Sequence, residues 1–151
     1  MLTKKWLSLV ESLYLTFSIY PLQTNIPRAI QKPPKVFFYD NADVPDEKGA
    51  RFESLVATHL LKRLHFLEDY EGYKCELRYI RDKDGREVDF VTIVEGEVVD
   101  LIEVKYNSDD LSTSLKYYKK AAAKKYCADR VWFKKVIWSG RYSSYLTDWV
   151  F

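Results

Sequence analysis

Charged side chains interrupt two strongly apolar stretches near the middle of this 151-residue chain. Asp89 lies between Val88 and Phe90, and a single residue separates Glu103 from Lys105. Burying a charge is costly unless the charge is paired or bound to a metal ion. These positions therefore indicate either ion pairs on a solvated strand face or a site where carboxylates do chemistry.

The spacing of these residues allows them to converge. Side chains two residues apart leave the same face of a strand, so Glu103 and Lys105 share a face, and a hairpin can bring Asp89 beside them. Glu53, on a helix earlier in the chain, can approach from beneath the sheet. Hard carboxylate oxygens are the ligands preferred by Mg²⁺, which neutralises charge on a reacting phosphodiester, and an amine can orient the nucleophile. The alternative is an ordinary cross-strand ion pair between Glu103 and Lys105, with Asp89 part of a polar outer face.

The amino-terminal part of the chain predicts a helix and a hairpin. Apolar residues recur every three or four positions over residues 3–14, and residues 15–20 and 35–40 are strand-like. Residues 41–48 carry several acidic residues and a proline, which break this periodicity. This break is the candidate domain boundary, and it predicts a partial winged-helix segment over 1–44 followed by a second domain over 45–151.

The second part predicts a sheet covered by helices. An apolar stripe predicts a helix over 49–66, and three strand-like runs follow, over 74–80, 87–94 and 98–106, joined by hairpin turns. A long helix over 109–127 leads to a fourth strand over 131–138. The long crossover allows this strand to lie parallel to the third, so we expect a mixed four-stranded sheet flanked by helices, in the α/β class or the α+β class.

Composition limits the function classes. The formal charge is +2, from 24 basic and 22 acidic residues, so only a local patch could favour a polyanionic partner. Neither cysteine belongs to a C-x-x-C pair, which gives no support for a zinc knuckle. Apolar runs fall short of the roughly 20 residues that a membrane helix needs, and no export signal follows the first residues. We therefore expect a soluble, cytoplasmic protein with no membrane partner.

A local basic patch is present in the predicted long helix. Its lysines could contact phosphates of a nucleic acid, or they could simply solvate the helix. The residues concerned are Lys116, Lys119, Lys120, Lys124 and Lys125.

Three motifs in order resemble a known superfamily. Glu53 within residues 49–56, Asp89 within residues 81–90, and Glu103 with Lys105 in the run Ile-Glu-Val-Lys resemble the motif series of the PD-(D/E)XK nucleases, which have a restriction endonuclease-like fold. More closely, nearly the whole chain resembles the carboxy-terminal domain of a group of prokaryotic AAA-type ATPases, catalogued as a domain of unknown function. In that group a winged-helix segment precedes a nuclease-like core.

This resemblance implies a metal-dependent nuclease. Glu53, Asp89 and Glu103 would bind Mg²⁺ or Mn²⁺, Lys105 would assist catalysis, and the substrate would be DNA. Val88 stands where the superfamily's name has proline, a position that varies among its members. The chain contains no Gly-x-x-x-x-Gly-Lys-[Ser/Thr] motif, so the ATPase would be a separate partner or a half that this sequence lacks.

The same resemblance leaves a second function open. A catalytically inactive DNA-binding or regulatory module of such an ATPase would keep the same fold and acidic residues. The amino-terminal segment also looks truncated, and its apolar surface predicts contact with a partner or a second copy of the chain.

Overall fold

The structure is a computed structural model. It describes residues 2–22, 32–45, 47–106, 112–118 and 132–138, with the backbone only for 2–4, 106 and 132–138. Within these ranges, no helix is both long enough and apolar enough to span a membrane.

The chain alternates short helices with strands, in an order close to the predicted one. A 3-10 turn (Asn41–Asp43) precedes the second helix, a π-helical turn (Leu67–Glu71) follows it, and residues 113–118 are helical. The main elements are α1 (Leu2–Ser12), β1 (Thr16–Pro21), β2 (Lys35–Phe38), α2 (Lys48–Phe66), β3 (Cys75–Arg81), β4 (Glu87–Val94), β5 (Glu97–Tyr106) and β6 (Trp132–Trp138). The predicted long helix is described only over 113–118.

All six strands join one mixed sheet in the order β2-β1-β3-β4-β5-β6. The pairs β1–β3 and β5–β6 are parallel, and the remaining neighbours are antiparallel. This confirms a mixed α+β architecture and the parallel fourth strand of the core, but the prediction of four strands is wrong. The two amino-terminal strands, expected to belong to a winged helix, extend the same sheet because Tyr20 pairs with Arg78.

Helix α2 covers one face of this sheet. Its buried apolar residues recur at helical spacing, so they form one stripe, and the helix carries Arg63 and His65 in its last turn, where cations favour the helix dipole. The stripe packs on residues from both parts of the chain. This core cluster consists of Phe17, Ile19, Phe37, Phe52, Val56, Ala57, Leu60, Tyr79, Phe90 and Ile102. The sheet and the core therefore run through the predicted boundary.

The helical residues 113–118 cover the opposite face. A second buried cluster contains Val88, Val91, Ile93, Val98, Leu101 and Leu115. Polar contacts fix this helix to the β3–β4 turn, since the Tyr118 hydroxyl donates to Asp82 (3.0 Å) and the Arg86 guanidinium lies 4.1 Å from the centre of the Tyr117 ring. Burial and the bond to Asp82 raise the pKa of Tyr118 to about 12, so this hydroxyl remains a donor across the physiological range.

Candidate active site

A β-bulge in β4 sets the direction of Asp89. The register between β3 and β4 shifts so that Asp89 and Phe90 together stand opposite Tyr79 alone. Phe90 packs in the core cluster beneath α2, and the Asp89 carboxylate also turns toward that side, where it meets Lys35. The bulge thus places a carboxylate and a core side chain side by side.

Lys35, the first residue of β2, lies at the centre of three carboxylates. Its Nζ is 2.7 Å from Glu87 Oε1, 3.0 Å from Glu53 Oε1 and 3.7 Å from Asp89 Oδ1. The ammonium also lies 5.5 Å from the centre of the Tyr79 ring. We call Lys35, Glu53, Glu87 and Asp89 the lysine-centred cluster. Its members come from β2, α2 and β4, so all three elements must be packed before it forms.

Burial and charge shift the pKa values of two cluster members. Loss of solvent raises the pKa of Asp89, and repulsion from Glu53 and Glu87 raises it further, against the opposing effects of a backbone hydrogen bond and Lys35. For Lys35, burial lowers the pKa, but the neighbouring carboxylates outweigh burial and the net pKa is raised. Lys35 is therefore a stable cation, and Asp89 is a carboxylate that retains its proton more readily than usual.

Asp89 also connects this cluster to β5. Its Oδ2 accepts a hydrogen bond from the backbone N–H of Val104 at 2.8 Å. Val104 is the residue between Glu103 and Lys105, so Asp89 contacts the backbone directly between the two other predicted catalytic residues. The regular β4–β5 pairing has its last register pair at Phe90 and Ile102, and the Asp89 carboxylate lies where the two strands separate.

The side chains of Glu103 and Lys105 lie on the face of the sheet opposite to the one that α2 covers. Ile102 packs in the core beneath α2, so alternation sends Glu103 toward the helical residues 113–118. There Glu103 Oε2 accepts from the Ser112 N–H at 3.2 Å, and Oε1 lies 3.1 Å from Lys105 Nζ. Glu103 is only 4% exposed, whereas the Lys105 side chain is 40% exposed.

The predicted catalytic residues thus form two pairs that meet at Val104. The structure places Glu53 with Asp89 in the lysine-centred cluster and pairs Glu103 with Lys105 on the other side of β5. The expectation that Asp89 and Glu103 share a face fails because the bulge in β4 turns Asp89 toward α2.

The donor chemistry of the cluster suits a divalent cation, although an ammonium holds the central position. Among the residues that the structure describes, no three His, Cys, Asp or Glu side chains are arranged to hold a metal ion. However, carboxylates from α2 and β4 already surround one positive charge, and carboxylate oxygens are the ligands that Mg²⁺ and Mn²⁺ prefer. The type of donor atom therefore fits such an ion, and in the structure these oxygens surround the Lys35 ammonium.

A cleft of about 480 Å³ gives access to this cluster. It is lined by β2, by Val44 and Pro45, and by the first turns of α2. Lys35, Glu53 and Glu87 lie on its wall. Two of the cluster's carboxylates, Glu53 and Glu87, therefore border this cleft.

Two cluster members, Lys35 and Glu87, were missed by the sequence interpretation. Glu87 lies two residues before Asp89, and strand alternation alone predicts that the two share a face; this signal was available. Lys35 could not be assigned, because it reaches the site only through the pairing of β1 with β3. In the predicted basic patch, Lys116 is exposed, while Lys119, Lys120, Lys124 and Lys125 lie outside the described residues.

A comparison with known families matches the core of the chain. The family model described as "Domain of unknown function (DUF4143)" matches residues 48–140, from the start of α2 to just past β6. No curated protein and no solved structure matches the chain. The matched residues include Glu53, Asp89, Glu103 and Lys105 but leave out Lys35.

Proposed function

Because the chain belongs to the DUF4143 family, whose function is unknown, we propose a function from the site itself: metal-dependent hydrolysis of DNA phosphodiesters. The proposed metal ligands are Glu53 and Asp89, with Glu103 and Lys105 completing the site from the other side of β5. The metal would be Mg²⁺ or Mn²⁺. This is the activity that the resemblance to PD-(D/E)XK nucleases implies. The same resemblance implies an AAA-type ATPase, either as a separate partner or as a half of the protein that this sequence lacks.

The position of Asp89 is the observation that carries this proposal. Its carboxylate lies within 3.7 Å of a positive charge shared with Glu53, and it accepts the N–H of Val104 at 2.8 Å. Asp89 therefore links the cluster that contains Glu53 to the backbone between Glu103 and Lys105. A structural ion pair on a solvated face would not require a bulge, a carboxylate with a raised pKa and a buried glutamate at one strand separation.

Each residue has a distinct part in the proposed reaction. Glu53 and Asp89 supply oxygen donors, and the Val104 N–H fixes the orientation of Asp89. Glu103 is held by the Ser112 N–H and pairs with Lys105, whose partly exposed side chain would meet a phosphate oxygen from that side of β5. A bound Mg²⁺ would supply charge neutralisation for the phosphodiester and lower the pKa of an attacking water.

The test is cleavage of end-labelled duplex and single-stranded DNA with millimolar Mg²⁺ or Mn²⁺. We expect cleavage by the wild type and a loss of at least about a hundredfold in Asp89→Asn, which keeps an acceptor for Val104 but loses the charge. Glu97→Gln is the matched control, because Glu97 is an exposed carboxylate at the far end of β5. Equal cleavage by wild type and Asp89→Asn, or none by the wild type with either metal, would contradict the proposal.

One observation favours a second candidate. The Lys35 ammonium already neutralises part of the carboxylate charge, as expected of a domain that keeps a nuclease-like fold only for binding or regulation. Such a module would bind DNA or its ATPase partner without cleavage, and Asp89→Asn would leave that binding unchanged. Gel-shift measurements on the same variants separate the two candidates.

A further inference from the structure

We propose that Lys35 is an internal counter-ion that holds the carboxylate site closed and must leave it before a divalent cation can bind. This inference rests on the proposed metal-dependent function and assigns its regulation to a residue outside the family match. Lys35 belongs to β2, whereas the match begins at residue 48.

The contacts of Lys35 support a competing role. Its Nζ contacts the oxygens that a metal would need, on Glu53 (3.0 Å) and Asp89 (3.7 Å), and it also contacts Glu87 (2.7 Å). The ammonium and a metal ion cannot occupy one position among the same oxygens. The Lys35 side chain is 22% exposed and borders the cleft, so the ammonium has a route into solvent.

The charges of the cluster also favour replacement by a divalent ion. Three carboxylates face Lys35. Among the described residues, a second cation, Arg81, also pairs with one of them, with its Nε 3.6 Å from Glu87 Oε2. With Lys35 in place, the carboxylates of this group outnumber the cations by one. A divalent ion in place of the ammonium would bring the same group to neutrality, which favours exchange in a partly buried site.

The effect of removing Lys35 on metal affinity distinguishes a lysine that competes with the metal from one that supports the site. If Lys35 competes, removing its charge frees the oxygens and strengthens metal binding. If Lys35 only supports the site, its removal lets the carboxylates move apart and weakens metal binding.

The first experiment is calorimetric titration of Mg²⁺ and of Mn²⁺ into wild type and Lys35→Met, which keeps an unbranched side chain without the charge. We expect Kd to fall at least about tenfold in Lys35→Met, and metal to raise its Tm more than that of the wild type. Lys62→Met is the matched control, since Lys62 is an exposed lysine on α2, and its Kd should equal that of the wild type. A Kd in Lys35→Met equal to or weaker than the wild-type value overturns the proposal.

A second measurement uses only the wild type, in case Lys35→Met does not fold. Lysines are labelled briefly by reductive methylation with and without Mg²⁺, and the extent at each site is read by mass spectrometry. We expect labelling of Lys35 to rise severalfold with Mg²⁺ while labelling of Lys62 stays constant. Labelling of Lys35 that is unchanged or reduced by Mg²⁺ overturns the proposal.

These outcomes separate this inference from the proposed function. Metal binding by the wild type that is not strengthened in Lys35→Met overturns the counter-ion role and leaves the nuclease proposal standing. Metal binding gained only in Lys35→Met, without DNA cleavage by the wild type, supports the counter-ion role and contradicts the nuclease proposal. Absence of metal binding in both proteins overturns both.

Discussion

At the scale of single residues, the carboxylates of Asp89 and Glu103 have different surroundings and contribute differently to the structure. Asp89 has one oxygen on a backbone N–H and the other beside the Lys35 ammonium. Glu103 is buried and accepts the N–H of Ser112, just before the helical residues 113–118, so its removal also takes the acceptor from a partly buried donor. A loss of activity in a Glu103 variant would therefore mix catalysis with stability. Asp89→Asn is the clearer test of chemistry.

The raised pKa of Asp89 predicts the sign of a pH effect. Burial, with repulsion from Glu53 and Glu87, raises the pKa of Asp89 above its ordinary value of 3.8, so in that range the folded state binds the proton more tightly than the unfolded state. The contribution of Asp89 to stability is thus full below about pH 3.8 and is lost as pH rises through the folded pKa. We expect the unfolding free energy of Asp89→Asn, relative to wild type, to increase with pH across this window.

Urea unfolding at a series of pH values measures this difference, and carboxyl NMR shifts locate the folded pKa. Glu97→Gln provides the reference for loss of one exposed acidic charge. A difference between Asp89→Asn and wild type that stays flat or falls with rising pH would contradict the assigned pKa direction.

At the scale of elements, local patterns predicted most of what was needed. The strand predicted over 87–94 is observed as Glu87–Val94, and the helix predicted over 49–66 is observed as Lys48–Phe66. Both predictions depended only on the spacing of apolar residues within one segment. The bulge could not be predicted, since it depends on how β4 meets β3 over Tyr79. That single irregularity decides which side of the sheet Asp89 faces.

Two glycines give a paired test of the local backbone. Gly96 ends the β4–β5 turn at φ +79°, so Gly96→Ala should lower the unfolding free energy by about 1 kcal/mol. Gly49 lies in the first turn of α2, and a Cβ added there meets nothing within 4 Å. Gly49→Ala should therefore raise the unfolding free energy by about 0.5–1 kcal/mol. Chemical denaturation measures both, and a stabilised Gly96→Ala would show that the turn has another conformation.

At the scale of the whole molecule, the pairing of segments far apart in the chain could not be predicted from the sequence. The strands over 15–20 and 35–40 were predicted from local composition, but nothing in a single sequence indicates that β1 lies beside β3. That pairing adds Phe17, Ile19 and Phe37 to the core beneath α2 and brings Lys35 to the carboxylates. The predicted boundary therefore separates segments that share a core and a site.

Shared packing predicts how the two segments respond to separation. A chain of residues 45–151 should fail to fold or should lose most of its stability, because it exposes Phe52, Val56 and Phe90 and leaves the β3 edge unpaired. Each large apolar side chain uncovered costs about 1.5–3 kcal/mol, which for several side chains approaches the 5–15 kcal/mol total of a typical domain.

The control deletes only residues 1–12, which removes α1. Trp6 and Leu9 on this helix are 63% and 48% exposed, and the core cluster contains no residue from it, so the loss should be small. Circular dichroism and thermal melting of both truncations measure the effect. A 45–151 chain that melts cooperatively near the full-length Tm would support an independent second domain, whereas a large drop confined to that chain would show that β1 and β2 complete the sheet.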